Sequence, residues 1–156
     1  MTLPSDFREC AESFVARDVR FMIVGGHAVM TYGYVRATDD FDLWVDRAPD
    51  NAARVVQALA DFGFGSLGLR TDDFTAPDLV LQLGRPPFRI DILTSLSGVV
   101  FEMCYPNRVM VDVGRSVLPF IGRDCLLANK RASGRPKDLL DVDELGGGET
   151  PDGPTA

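Results

Sequence analysis

Residues 23–45 read IVGGHAVMTYGYVRATDDFDLWV, and the folding of this stretch decides the architecture of the chain. The apolar run at 20–24, RFMIV, reads as a short buried strand. Gly25 and Gly26 end it, and HAVMTYGY reads as a helix. Asp39, Asp40 and Asp42 then crowd the start of a second strand over 40–45. Side chains two apart on a strand share a face. Phe41, Leu43 and Val45 therefore face a core, Asp40, Asp42 and Trp44 face the other way, and Asp39 belongs to the turn. Two carboxylates side by side raise each other's energy unless protonated or neutralised. A divalent cation is the usual remedy, and Mg²⁺ prefers oxygen ligands.

A second strand repeats the arrangement. In FRIDILT, Phe88, Ile90 and Ile92 form an apolar face, and Arg89, Asp91 and Leu93 form the other. If the two strands are neighbours, Asp40, Asp42 and Asp91 converge. Three carboxylates on one sheet face suit a two-metal site, with ions ~3.5–4 Å apart clamping the oxygens of a phosphoryl transfer. Each feature alone has a plainer explanation: a turn or solvated edge for the Asp pair, a partner for Arg89 in the case of Asp91, a tight turn for the glycines. Their order along the chain is what makes the joint pattern informative.

The remaining sequence predicts a single domain over 1–145, a small mixed α/β sheet flanked by helices, followed by a disordered tail over 146–156. Ser5 caps a first helix with Phe7, Cys10, Phe14 and Val15 at helical spacing, and Asp50 caps another, with Val55, Leu59 and Phe62 inward. LVLQLG and FRIDILT form a hairpin through GRPP, and SGVVFEMC a short helix. RVMVDV and SVLPFI are two further strands, with Pro119 suggesting an edge. Gly122 precedes a helix that Gly134 breaks, and Pro136 opens a last helix, KDLLDVDEL.

Composition narrows the function classes. The chain has 156 residues, 46% hydrophobic and 25% charged, as in an ordinary globular protein. No apolar run approaches the ~18 residues that span a membrane, and MTLPSDFREC lacks a secretory pattern. A cytoplasmic protein without membrane partners is expected. Cys10, Cys104 and Cys125 are far apart and odd in number, so they read as reduced and mostly buried. The single histidine, His27, excludes any site needing two and reads as a helix-start residue. A net charge of −7 argues against broad nucleic-acid binding but leaves room for a basic patch, which Arg123, Lys130, Arg131, Arg135 and Lys137 supply.

With these residues in view, VGGHAVMTYGYVRATDDFDLWV resembles the signature of the nucleotidyltransferase superfamily, the polymerase-beta-like fold: Gly-Gly, a spacer, then D-x-D between apolar residues. Gly25 and Gly26 match the pair, Asp40 and Asp42 the D-x-D, and Asp91 in RIDIL the third carboxylate. RATDDFDLWV together with NKRASGRPKDLLDVDEL is similar to small prokaryotic members, including those like the AbiE-type toxins. The resemblance covers residues 18–145. It implies that Asp40 and Asp42 hold Mg²⁺ ions bridging a nucleoside triphosphate, two ions in all. It implies that Asp91 helps to hold the second ion and activates the attacking hydroxyl. Gly25 and Gly26 would let the backbone approach the phosphates. The reaction implied is transfer of a nucleoside monophosphate to an acceptor hydroxyl, on tRNA or a protein, with a cognate antitoxin as a further partner. The alternative is a catalytically inactive nucleotide- or protein-binding module on the same fold. Phe41 stands where a smaller aliphatic residue is usual, and no added helical acceptor-binding domain is expected after 145.

The other candidates come partly from the resemblance. The toxin-like relatives have a lysine similar to Lys130, which makes it a phosphate contact rather than a solvated helix end. Lys137 is a nucleotide-site candidate that is also spaced i,i+4 from Asp141 for a surface pair, and Asp138 is a second candidate, in a segment that is near the active site in relatives. Arg36 is either a partner for a catalytic carboxylate or phosphate or a plain loop arginine. Thr38 is a nucleotide-site candidate that also suits a turn-stabilising hydroxyl. Trp44 either walls the pocket or packs under a helix.

Overall fold

The computed structural model describes residues 1–146. Of the tail expected over 146–156, all but Gly146 lies outside the described residues. The run FMIV forms β1, Phe21–Val24, and all four residues are buried. A strand buried on both faces lies in the middle of a sheet, and β1 does. Among the described residues six strands form one mixed sheet in the order β3-β4-β2-β1-β6-β5. β2, Asp40–Val45, runs antiparallel to β1 on one side and parallel to β4, Arg89–Leu93, on the other. β3, Val80–Leu83, forms the predicted hairpin with β4. β5, Val109–Asp112, and β6, Val117–Phe120, form a second hairpin, and β6 meets β1 in parallel.

Helices cover both faces. α1, Ser5–Ala16, and α3, Pro49–Leu59, pack on the Phe41–Leu43–Val45 side, where Phe7 stacks on Phe41 at 4.9 Å and Phe14 meets Phe21 edge-on. α2, Gly25–Thr31, places His27 against Phe7 and Phe41 on that side. On the opposite face α4, Phe101–Cys104, sets Phe101 edge-on to the buried Trp44. α5, Arg123–Ser133, and α6, Pro136–Glu144, pack together beside the acidic strand ends. Gly134 ends α5 in the left-handed region, and Pro136 opens α6, both as expected from the sequence.

Several local expectations are corrected. Ser5 is the first residue of α1 and makes no capping bond, and Val15 is exposed. Asp50 lies inside the first turn of α3, while Asp46 accepts the Ala48 N–H ahead of it. Pro119 is not on an edge, because β5 takes that place. β1 and β6 share one register position, Ile23 opposite Phe120, and the Ile121 N–H bonds to the Ile23 carbonyl, so this contact never calls on the N–H that Pro119 lacks. The three cysteines are not all reduced: Cys104 and Cys125 form a disulfide, leaving Cys10 free and buried. Their Cα atoms are 6.0 Å apart although 21 positions separate them, because α4 and α5 are brought side by side. Among the described residues no helix is long and apolar enough to cross a membrane.

Candidate active site

Strand register assembles the acidic residues. Across β2 and β4, Asp40 stands opposite Arg89 and Asp42 opposite Asp91. Parallel neighbours in register point their side chains the same way. Asp40, Asp42 and Asp91 thus each offer a carboxylate oxygen, and the three oxygens lie within 4.8 Å of one another. The neighbouring of the two strands, on which the convergence depended, is met.

The glycine pair makes room for this cluster. Val24 is opposite Asp42 in the β1–β2 register, so the chain leaves β1 directly beside that acid. Gly25 has a φ of 71°, and a Cβ on it would lie 2.3 Å from Oδ2 of Asp42. Only glycine accommodates both the backbone angle and the approach. Gly26 is buried, and a Cβ there would lie 2.7 Å from Oγ1 of Thr38. Thr38 itself donates to the Asp40 carbonyl at 3.5 Å, the turn-stabilising role.

Arg89 is a part of the site that the sequence offered only as a possible partner of Asp91. Its Nη2 donates to Asp40 Oδ2 at 2.7 Å, and its Nε donates to Asp91 Oδ1 at 3.1 Å. Asp42 receives no hydrogen bond from Arg89, although the charges of Lys130 and Arg89 act on it from a distance. Its Oδ1 is buried with no hydrogen-bond partner. Burial first, then the charges of Asp91 and Asp40, push its carboxyl up to about 7. Burial also raises Asp91, against the opposing pull of Arg89. An orphaned carboxylate oxygen beside two further carboxylates is a hard-oxygen donor set that fits Mg²⁺.

Lys130 approaches from α5. It is buried, and its Nζ donates to Asp138 at 3.0 Å and lies 3.2 Å from Asp141. Asp138 also accepts from Ser133 and Arg135. Burial works against its ionisation, but the bonds from Arg135, Ser133 and Lys130 win and hold its carboxyl down to about 2. Arg36 grips Asp141 with two bonds, of 2.9 and 3.1 Å, and so pairs with none of the three clustered acids. It fastens the loop leading into β2 onto α6. The expected Lys137–Asp141 pair does not form: Asp141 points inward to Arg36 and Lys130, and Lys137 is exposed.

A cleft of about 770 Å³ joins these groups, with Gly25, Asp42, Lys130, Ser133, Arg135 and Asp138 in its wall. The loop Ser95–Val99, which carried no motif in the sequence, and Asn129 also line it. Trp44 is outside this cleft and lines a separate hollow of about 570 Å³ with Phe101. His27 lies in the first turn of α2, as expected, and is buried between rings in the core.

No protein-family model and no curated protein matches the chain. Among solved structures, one from Thermotoga maritima, described as "a putative nucleotidyltransferase", superposes with a TM-score of 0.59. The match covers 94% of this chain and 93% of that one at 11% identity. The two chains share a fold. At 11% identity the agreement lies in backbone architecture. The fold expected from the motif at 25–42 is thus also the fold of a structure described in those words.

Proposed function

We propose that the chain is a Mg²⁺-dependent nucleotidyltransferase, which transfers a nucleoside monophosphate from a nucleoside triphosphate to an acceptor hydroxyl and releases pyrophosphate. The observation that carries this is the meeting of Asp40, Asp42 and Asp91 within 4.8 Å, with Asp42 in the wall of an open cleft. These three residues would hold the metal, which when bound supplies charge neutralisation to the phosphates and to the attacking and leaving oxygens. Asp91 would also take the proton of the attacking hydroxyl. Lys130, held by Asp138 and Asp141, presents a fixed cation to the triphosphate from the opposite wall. Gly25 keeps the floor of the cleft low enough for phosphate to approach Asp42. Arg36 and Thr38 set the entry of β2, and Arg135 at the rim and the exposed Lys137 are contacts for the phosphates of nucleotide or acceptor.

The motif resemblance to AbiE-type toxins extends the proposal to a toxin whose acceptor is tRNA or a protein and whose partner is an antitoxin. Purified protein is incubated with Mg²⁺, each of the four α-labelled nucleotides in turn, and total RNA or a protein extract. Label is expected in the acceptor with one nucleotide at least, and none for Asp42→Ala. Equal labelling by both proteins refutes the proposal, and Mg²⁺-dependent nucleotide binding without transfer favours the inactive binding module.

A further inference from the structure

Arg89 has an unusual placement for a cation in a metal site. The β2–β4 register sets it directly across from Asp40 and two residues before Asp91, on the same sheet face as all three acids. Its guanidinium bonds to both: Nη2 to Asp40 Oδ2 at 2.7 Å, and Nε and Nη2 to the two oxygens of Asp91 at 3.1 and 3.3 Å. A planar fork matched to a carboxylate in this way is a directed contact and not a loose surface pair. Its side chain is 29% exposed, so water reaches part of it. Asp42 receives no bond from it, and Oδ1 of Asp42 is the buried oxygen left without a partner.

The site is therefore divided. One half, Asp40 with Asp91, already carries a resident cation. The other, around Asp42, receives no hydrogen bond from Arg89. Three carboxylates and one guanidinium leave a formal charge that one divalent ion cancels.

We propose that Arg89 is a built-in counter-ion that limits the nucleotide-free site to one divalent ion, a second entering only when Arg89 withdraws from Asp40 and Asp91. This rests on the metal-dependent activity proposed above. Arg89 is on this account a positioning residue, acting through the two carboxylates it holds. The triphosphate supplies the replacement, since its own negative charge attracts the guanidinium and brings a cation with it.

The test counts bound Mn²⁺ on nucleotide-free protein by electron paramagnetic resonance, alongside circular dichroism to confirm folding. The wild type is expected to bind one ion. Arg89→Met, which keeps the length and removes the charge and the fork, is expected to bind two, with the first held roughly tenfold more tightly because a like charge a few ångströms away is gone. Arg89→Lys, which restores the charge, is expected to return the count to one. If Arg89→Met does not fold, Arg89→Gln takes its place. Two ions on the wild type, or the same count and affinity for wild type and the neutral variants, overturn the proposal while leaving the metal site standing. No Mn²⁺ on any of them overturns the metal site and the proposal together.

Discussion

Asp42→Asn is expected to make the metal-free protein more stable in alkaline solution while ending its response to Mg²⁺. The native carboxyl of Asp42 is pushed up to about 7, against an ordinary value of 3.8, by burial and by Asp91 and Asp40. The folded state then holds its proton over a range where the unfolded chain has released it. Stability from the neutral acid is fully present below about 3.8 and is lost as pH rises through about 7. At ~1.4 kcal/mol per tenfold step, that interval amounts to about 4 kcal/mol at high pH. Asp40 is 37% exposed, and water there screens part of the repulsion. About 2 kcal/mol at pH 8.5 is the figure to expect. Asparagine is neutral and of the same shape, so it escapes this loss. Urea unfolding in EDTA is expected to show a small gain for Asp42→Asn at pH 4.5, where the loss has only begun, and a clearly larger one at pH 8.5. Adding Mg²⁺ at pH 8.5 is then expected to stabilise the wild type, by about 2.7 kcal/mol at a hundredfold excess over the dissociation constant, and to leave the variant unmoved. A gap that does not widen with pH, or a variant less stable than wild type at pH 8.5, refutes the electrostatic account of Asp42.

Two further substitutions probe the walls of the cleft. Lys130→Met removes one cation from the buried Asp138 and Asp141, whose remaining partners are Arg135 with Ser133 and Arg36; a loss of about 3 kcal/mol in urea unfolding is expected, along with loss of nucleotide binding. Gly25→Ala would set its Cβ 2.3 Å from Asp42 Oδ2 at a φ of 71°. Destabilisation of about 1–3 kcal/mol is expected, together with a lost thermal shift on adding Mg²⁺, whereas Gly33→Ala, which has open space around it, should retain that shift.

Much of this was legible in residue order. β2 runs over the residues expected of it, because alternation of Phe41, Leu43 and Val45 with Asp40, Asp42 and Trp44 leaves a single way to place an apolar face. The ends of α5 and α6 followed from Gly134 and Pro136, whose backbone preferences are local. Pairings between distant residues were harder. Arg36 and Asp141 are 105 positions apart, and nothing near Arg36 distinguishes a loop arginine from one that clamps a helix. Lys137 looked like the partner of Asp141 from helical spacing, but spacing does not say which side of α6 faces inward. The Cys104–Cys125 bond depended on the packing of α4 against α5.

The sequence by itself determined which residues bear charge on a strand face, since a period of two and the glycine turn are properties of the local chain. Only the tertiary structure decided that β2 lies beside β4 in register, so that Asp91 joins Asp40 and Asp42, and that Arg89 comes with it. Strand order is set by which apolar faces bury one another across the whole domain, a global balance that no short stretch encodes.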